Sequence, residues 1–142
     1  MAIHLVKLCV GATEITDLKR RINIRSLENQ KTGRGKIHDH VTRMWPRRED
    51  ELINGGSLYW VIKGAIVARQ TVIRLEKVTG LDEISRCAII LKPQLIHTVP
   101  QPKRAFQGWR YLKPDDAPQD LSKTDQRVPP ALRHELAELG IL

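Results

Sequence analysis

The sequence predicts an α+β fold, a small, curved and mostly antiparallel β-sheet or β-barrel with peripheral helices. Residues 58–78 (LYWVIKGAIVARQTVIRLEKV) are the most β-like part of the chain, because they are rich in β-branched and aromatic side chains. Helical patterns flank this stretch without the regular strand–helix alternation that a parallel sheet requires. Strands and turns of this length are typical of a small curved sheet.

The first third of the chain combines an amphipathic helix with strand-like segments. Ile15, Leu18 and Ile22 keep helical spacing and therefore predict a helix. Thr13 or Thr16 can cap it by accepting a free backbone N–H. The elements predicted before the β-like stretch are a strand at 3–10, a helix at 15–29, a loop at 31–36, a strand at 37–44 and a short helix at 47–53.

The β-like stretch is longer than the roughly ten residues of an ordinary strand. Gly64 therefore indicates a bulge or a sharp bend within it. A turn at 79–82 leads into another strand, which implies an antiparallel pair. The elements predicted after this turn are a strand at 86–91, short extended segments at 95–99 and 109–112, a polar linker at 119–128 and a helix at 131–139.

The length of 142 residues is that of one domain. We expect a single α+β domain over residues 1–118, followed over 119–142 by the linker and a C-terminal helix that packs on the same domain. Leu132, Leu136 and Leu139 lie on one side of this helix. The alternative is that these leucines dock on a partner or on a second copy of the chain.

Composition gives no reason to expect a membrane span, a metal or a cofactor. No run reaches the roughly 18 apolar residues of a membrane helix, and the N-terminus does not read as a signal peptide, so we expect a cytoplasmic monomer or weak dimer. Cys9 and Cys87 lie in apolar runs and are predicted to be buried free thiols. His38 and His40 would share one face of a strand. A zinc site needs three or four ligands, so these two histidines do not predict one.

An uneven distribution of charge is the first functional signal. The net charge is +8, and a basic protein attracts polyanions because each neutralised phosphate releases counterions. Residues 19–48 hold ten Lys and Arg against two acids, and residues 92–114 hold five against none. Residues 115–142 reverse the balance, with six acids and three bases. This sorting favours one positive face over a uniformly charged surface that only keeps the protein soluble.

Basic and aromatic residues are interleaved at 43–48 (RMWPRR), 59–63 (YWVIK) and 103–111 (KRAFQGWRY). Single-stranded nucleic acid is bound by such combinations, because cations follow the phosphates and flat rings stack on bases. We therefore predict a non-catalytic domain that binds RNA or a nucleotide-like anion in a basic Trp/Arg cleft. The residues predicted to form it are Arg43, Trp45, Arg47, Arg48, Lys63, Lys103, Arg104, Trp109, Arg110 and Tyr111.

No catalytic motif accompanies this pattern. The chain has no nucleophile elbow, no Walker loop and no zinc-protease helix, so no catalytic residue is assigned. The alternative function is a small-molecule enzyme that acts on an anionic, nucleotide-like substrate in the same cleft. Asp39, Glu49 or Asp50 would then act as the acid or base.

The segments HVTRMWPRREDELINGGSLYWVIKGAIVARQ (40–70) and FQGWRYLKPDDAP (106–118) strongly resemble domain-of-unknown-function family 1489, a bacterial family found mainly in alphaproteobacteria. That resemblance implies no activity. The order of a short helix, a Gly turn and the strand YWVIKG (59–64) is also similar to the PUA-like superfamily, including its ASCH and EVE groups. This second likeness implies a small β-barrel with peripheral helices that binds RNA or modified bases, although fold alone does not determine function.

Overall fold

The computed structural model describes residues 2–121. Within that range the chain forms seven strands and two α-helices, followed by a 3-10 turn at Pro114–Asp116. None of these helices combines the length and the apolar composition that crossing a membrane would require. The elements are β1 (His4–Leu8), α1 (Ile15–Lys31), β2 (His38–Thr42), α2 (Glu49–Ile53), β3 (Ser57–Ile62), β4 (Ala65–Thr79), β5 (Ser85–Leu91), β6 (Ile96–Pro102) and β7 (Trp109–Leu112).

The strands form one mixed sheet in the order β2-β5-β4-β3-β1-β7, with β6 paired to β4 beside this path. The β1–β3 pair is parallel and the other pairs are antiparallel. The long strand β4 serves two parts of the sheet: its first half pairs with β3 and β6, and its second half pairs with β5. The predicted α+β class with a small, mostly antiparallel sheet is confirmed.

The sheet is curled, so that one of its faces encloses the core. His40 of β2 meets the Trp60 ring of β3 edge-on, with ring centroids 5.1 Å apart, although β5 and β4 separate these strands in the hydrogen-bonded order. At the other edge, the Trp109 indole N–H of β7 donates to the Met44 carbonyl just after β2, at 3.0 Å. The strand order nevertheless ends at β2 and β7, which makes the sheet curled but open.

The predicted bend at Gly64 is a complete reversal of the chain. Lys63 and Gly64 have φ values of 52° and 78°, and Ile62 of β3 faces Ala65 of β4. Two successive residues with positive φ form the tight hairpin turn whose twist matches that of the flanking strands. The β-like stretch is therefore two strands instead of one bent strand.

The N-terminus of α1 differs from the prediction. The helix begins at Ile15 and its cap residue is Glu14, not Thr13 or Thr16. The Asp17 carboxylate reaches back to accept the backbone N–H groups of Thr13 and Glu14, both at 3.1 Å. A carboxylate at the third helical position can satisfy these donors itself, so no threonine cap is needed.

The first residues of the segment predicted as a linker at 119–128 are bound to β6. The Val99 N–H donates to the Gln119 carbonyl at 2.8 Å, and the Leu121 N–H donates to the His97 carbonyl at 2.9 Å. The Arg69 guanidinium donates to both carboxylate oxygens of Asp120 at 2.7 Å, which holds this segment on the domain. The rest of the linker and the predicted helix at 131–139 lie outside the described residues.

Candidate functional site

A groove of about 340 Å³ opens at the end of the sheet where β2 and β4 finish and β5 begins. Cys87 of β5 lies between Thr42 of β2 and Lys77 of β4 in the pairing register. Directly opposed residues of paired strands share one face, so these three side chains lie side by side on the inner face. The residues that line the groove are Arg43, Trp45, Lys77, Ser85, Arg86 and Cys87.

Trp45 supplies the aromatic wall of the groove. Its side chain is 40% exposed, and its indole N–H donates to the Glu49 carboxylate in the first turn of α2 at 3.2 Å. One hydrogen bond thus orients a large ring while leaving much of it accessible. An accessible, oriented ring is suited to stacking against a flat ligand.

The rim of the groove is cationic. Arg86 is held by Asp82 through hydrogen bonds of 2.8 and 3.2 Å, and this pairing lowers the pKa of Asp82 to about 2. Arg43 and Lys77 form no salt bridge with any carboxylate of residues 2–121. Two of the three cations therefore keep their charge free for an anionic ligand.

The floor of the groove is apolar and chemically inert. Cys87 has no exposed surface, and its burial raises the pKa of the thiol to about 12. The thiolate is the nucleophilic form of cysteine, so this side chain is not a nucleophile near neutral pH. The prediction that Cys9 and Cys87 are buried free thiols is confirmed.

Trp109 and Tyr111 lie behind the groove instead of within it. Trp109 is only 7% exposed, and its ring meets Tyr111 edge-on at 4.9 Å. The Tyr111 hydroxyl accepts the Arg48 backbone N–H at 3.1 Å. Together with the bond from Trp109 to the Met44 carbonyl, these contacts hold the segment that carries Trp45. The buried Trp109 ring does not fit the base-stacking role predicted for it.

Arg47 and Arg48 follow Trp45 on the surface. The Arg48 guanidinium pairs with Glu51 at 2.9 Å and lies over the Tyr111 ring at 5.6 Å. Arg47 is exposed. Neither residue lines the groove, although both lie within three residues of Trp45.

The other predicted cations gather elsewhere, and we call Lys63, Lys103, Arg104 and Arg110 the outer group. The Lys103 N–H donates to the Gly64 carbonyl beside Lys63 at 2.9 Å. Lys103 and Arg110 both lie over the Phe106 ring, at 5.8 and 5.5 Å. Side chains alternate along a strand, so Arg110 points to the opposite face of β7 from Trp109 and Tyr111. The predicted residues thus form two groups and not a single cleft.

Two of the three carboxylates of the alternative enzyme function, Asp39 and Glu49, already have hydrogen-bond partners. Asp39 accepts bonds of 2.6 and 2.9 Å from Arg25 and one of 2.9 Å from Asn29. The Arg25 guanidinium holds the pKa of Asp39 well below its usual range, so this carboxylate stays ionised near neutral pH. Glu49 accepts the Trp45 indole N–H. Asp50 is exposed and does not line the groove.

His38 and His40 line a separate inner cavity together with Trp60. His38 Nδ1 lies 3.2 Å from Gln70 Oε1, and the indole N–H of Trp60 donates to that oxygen at 2.9 Å. Trp60 is 2% exposed, as expected of a core residue. In residues 2–121 no cluster of three or more His, Cys, Asp or Glu side chains has the arrangement of a metal site.

Sequence reasoning missed four groove residues, Lys77, Ser85, Arg86 and Cys87. The predicted turn at 79–82 could have identified Lys77. Two antiparallel strands joined by this turn place Lys77 opposite Cys87. The pairing of β2 with β5, which delivers Arg43 and Trp45 to the same place, joins segments far apart in the chain. No local pattern reports that pairing.

These features define a small α+β domain whose curled, open sheet carries a Trp-walled cationic groove at one end. The chain matches the model of the family "Protein of unknown function (DUF1489)" over residues 5–142 and belongs to that family. The family expected from the sequence is confirmed, and its description assigns no activity. The chain matches none of the curated proteins and none of the solved structures with which it was compared, so the PUA-like likeness gains no support.

Proposed function

We propose that this protein is a non-catalytic domain that binds RNA or a nucleotide-like anion in the groove where β2 and β4 finish and β5 begins. The observation that carries the proposal is the position of the exposed Trp45 ring beside two cations, Arg43 and Lys77, over an apolar floor. A base and its phosphate require these two kinds of surface next to each other.

The groove has dimensions suited to one nucleotide unit. Its volume of about 340 Å³ falls within the roughly 300–1,000 Å³ of small-molecule sites. A base stacked on Trp45 gains about 1–3 kcal/mol. Arg43 and Lys77 neutralise the adjoining phosphates, and the net charge of +8 raises the local concentration of any polyanion.

The enzyme alternative has less support. No Asp or Glu is among the described residues that line the groove. General acid–base catalysis needs a proton-transferring group within hydrogen-bond reach of the substrate. The groove side chains instead offer a ring, cations and a buried thiol, which are groups that hold a ligand.

A fluorescence-anisotropy titration with a labelled single-stranded oligouridylate tests the proposal. We expect binding that weakens as salt rises from about 50 to 200 mM, because phosphate neutralisation releases counterions. Trp45→Ala removes the stacking surface and is expected to weaken binding roughly 5- to 150-fold, from the stacking energy above.

Lys36→Ala is the matched control. Lys36 is exposed and precedes β2, whereas Arg43 follows it, so the two lie at opposite ends of the strand, roughly 20 Å apart at about 3.3 Å per residue. We expect this variant to bind like the wild type. Equal affinities for the Trp45→Ala and Lys36→Ala proteins, or wild-type binding that ignores salt, would rule the groove out.

A further inference from the structure

A second cavity, of about 150 Å³, lies between the end of β1 and β2 on the inner face of the sheet. β1 and β2 are not neighbours in the hydrogen-bonded order, so the cavity lies between two strands that the curl of the sheet brings together. The polar and aromatic side chains that line it include Lys7, Cys9, Arg21, His38, His40 and Trp60. None of these residues lines the Trp45 groove.

His40 lines this cavity and carries an unsatisfied ring nitrogen. Its Nε2 atom is buried and has no hydrogen-bond partner in the described part of the chain. Burial and the nearby Lys7 ammonium lower the pKa of His40 to about 4, so the ring is neutral near pH 7. A buried polar atom without a partner is unfavourable, and a ligand that bonds to this atom would satisfy it.

Two cations line the same cavity. Burial lowers the pKa of Lys7, which means that its ammonium is partly removed from water. The Arg21 guanidinium donates to the Val10 carbonyl at 2.7 Å and lies 3.8 Å from the Cys9 sulfur. None of the described lining residues is an acid. Lys7 is half-buried and Arg21 is exposed, and two cations that line one cavity without a carboxylate favour an anionic ligand.

The loop after β1 is shaped around Arg21. Gly11 has a φ of 81°, and a Cβ atom there would lie 2.8 Å from Arg21 Nη2. A side chain at this position would push the guanidinium away from the loop. Gly11 therefore both makes the turn and leaves room for Arg21 beside the cavity.

Cys9 is not the reactive group of this cavity. Its thiol is 4% exposed, and burial raises its pKa, which disfavours the nucleophilic thiolate. The polar lining instead offers the N–H donors of Lys7 and Arg21 and a ring nitrogen of His40. Such a set recognises negatively charged oxygen.

We propose that this cavity binds a small oxyanion, a phosphate or a carboxylate, between Lys7 and Arg21, with His40 donating a hydrogen bond from Nε2. The volume corresponds to about five waters at roughly 30 Å³ each, which limits the ligand to a small molecule. This site is independent of the RNA groove.

Imidazole NMR on the ¹⁵N-labelled full chain at pH 7 tests this site. Sodium phosphate and sodium acetate are titrated separately, and sodium chloride at matched ionic strength is the reference. We expect at least one oxyanion to produce a saturable shift of the His40 ring nitrogens that chloride does not produce. Which of the two binds more tightly distinguishes a phosphate from a carboxylate ligand.

Lys7→Met and Lys7→Gln both remove the ammonium while keeping a long side chain, and each is expected to weaken binding at least tenfold. Lys36→Met removes an ammonium at an exposed site and is expected to bind the oxyanion normally. Trp45→Ala alters the groove and is expected to leave the His40 shift intact, which would show that the two sites are separate. The absence of a shift with both oxyanions, or full affinity in a folded Lys7 variant, would overturn the proposal.

Discussion

Trp60 and Gln70 are joined inside the core by a hydrogen bond of 2.9 Å from the indole N–H to the amide oxygen. Gln70 has no exposed surface, and its amide nitrogen donates to the Lys92 carbonyl at 2.9 Å. Since an indole only donates and a carbonyl only accepts, the orientation of the amide is determined. His38 Nδ1 must then carry the proton it shares with Gln70 Oε1. One side chain thus connects β2, β3, β4 and the segment after β5.

Replacing Gln70 with Leu removes its hydrogen bonds to Trp60, to His38 and to the Lys92 carbonyl at once. The Trp60 N–H and the Lys92 carbonyl lose their bonds in a dry environment, at about 1–3 kcal/mol each. We expect Gln70→Leu to lower the free energy of unfolding by about 2–6 kcal/mol in guanidinium titrations. Gln30→Leu, on the exposed side of α1, is the control and should change it by less than about 0.5 kcal/mol. Similar losses in both variants would show that the amide network contributes little.

The neutral His40 ring makes stability depend on pH. Its pKa is 6.5 when unperturbed and about 4 in the folded chain, so between these values the unfolded state binds more protons. Its contribution is therefore complete above pH 6.5 and is lost as the pH falls toward 4. The same linkage for Asp39 acts below its ordinary pKa of 3.8, outside this window.

His40→Phe removes the titrating ring while keeping an aromatic side chain against Trp60. We expect the decrease in unfolding free energy between pH 6.5 and 4.5 to be smaller by about 2 kcal/mol in this variant. His4 and His38 also have pKa values lowered by burial, but they are present in both proteins, so the comparison isolates His40. If the stability of the wild type and of His40→Phe had the same pH dependence, the lowered pKa of His40 would be contradicted.

The hairpin turn at Lys63 and Gly64 predicts two substitutions of opposite sign. Gly64→Ala has open space around it but places a side chain at a φ of 78°, which costs about 1–2 kcal/mol. Lys63→Asn suits a positive φ better than lysine and should stabilise by a few tenths of a kcal/mol. Thermal unfolding of both variants measures these changes in stability, and Lys36→Asn at an exposed position is the control. A stabilising Gly64→Ala would refute the turn geometry.

The two thiols are expected to resist modification in the folded protein. Cys9 and Cys87 are 4% and 0% exposed, and burial raises the pKa of both. An aromatic disulfide reagent at pH 8 should label them only after denaturant is added. Leu81→Cys, at a fully exposed turn position, supplies a thiol that should react at once. Rapid labelling of the wild-type protein would mean that the core opens readily.

Salt dependence separates the groove from the outer group in RNA binding. Each phosphate contact on a single strand contributes about −0.7 to the slope of log affinity against log salt. Arg43→Ala should weaken binding and reduce the slope by about that amount. Arg104→Ala, within the outer group, should leave the slope unchanged. A reduced slope for Arg104→Ala and an unchanged slope for Arg43→Ala would instead place RNA binding on the outer group.

Local patterns in the sequence were sufficient for most elements. The extended segment predicted at 109–112 coincides with β7, and Ile15, Leu18 and Ile22 all lie buried on α1. These features depend on periodicity within a few residues, which a sequence displays directly. The hairpin turn was only partly recognised, because a single glycine fits both a bulge and a reversal.

The site depended on contacts that periodicity does not report. Arg110 and Trp109 are adjacent in sequence, but strand alternation sends them to opposite faces, so one basic segment was divided between two surfaces. Trp109 belongs to the hydrophobic core and donates to the Met44 carbonyl of a distant segment. Only the register of β2, β5 and β4 brings Arg43 and Lys77 together, and such long-range pairing leaves no mark in local composition.

The position of β1 has a consequence for synthesis on the ribosome. This first strand lies between β3 and β7, and its residue His4 pairs with Leu112 near the end of the described chain. Translation therefore releases β1 long before one of its two neighbours exists. Open strand edges invite pairing with other chains, so a nascent polypeptide keeps this hazard until β7 has emerged.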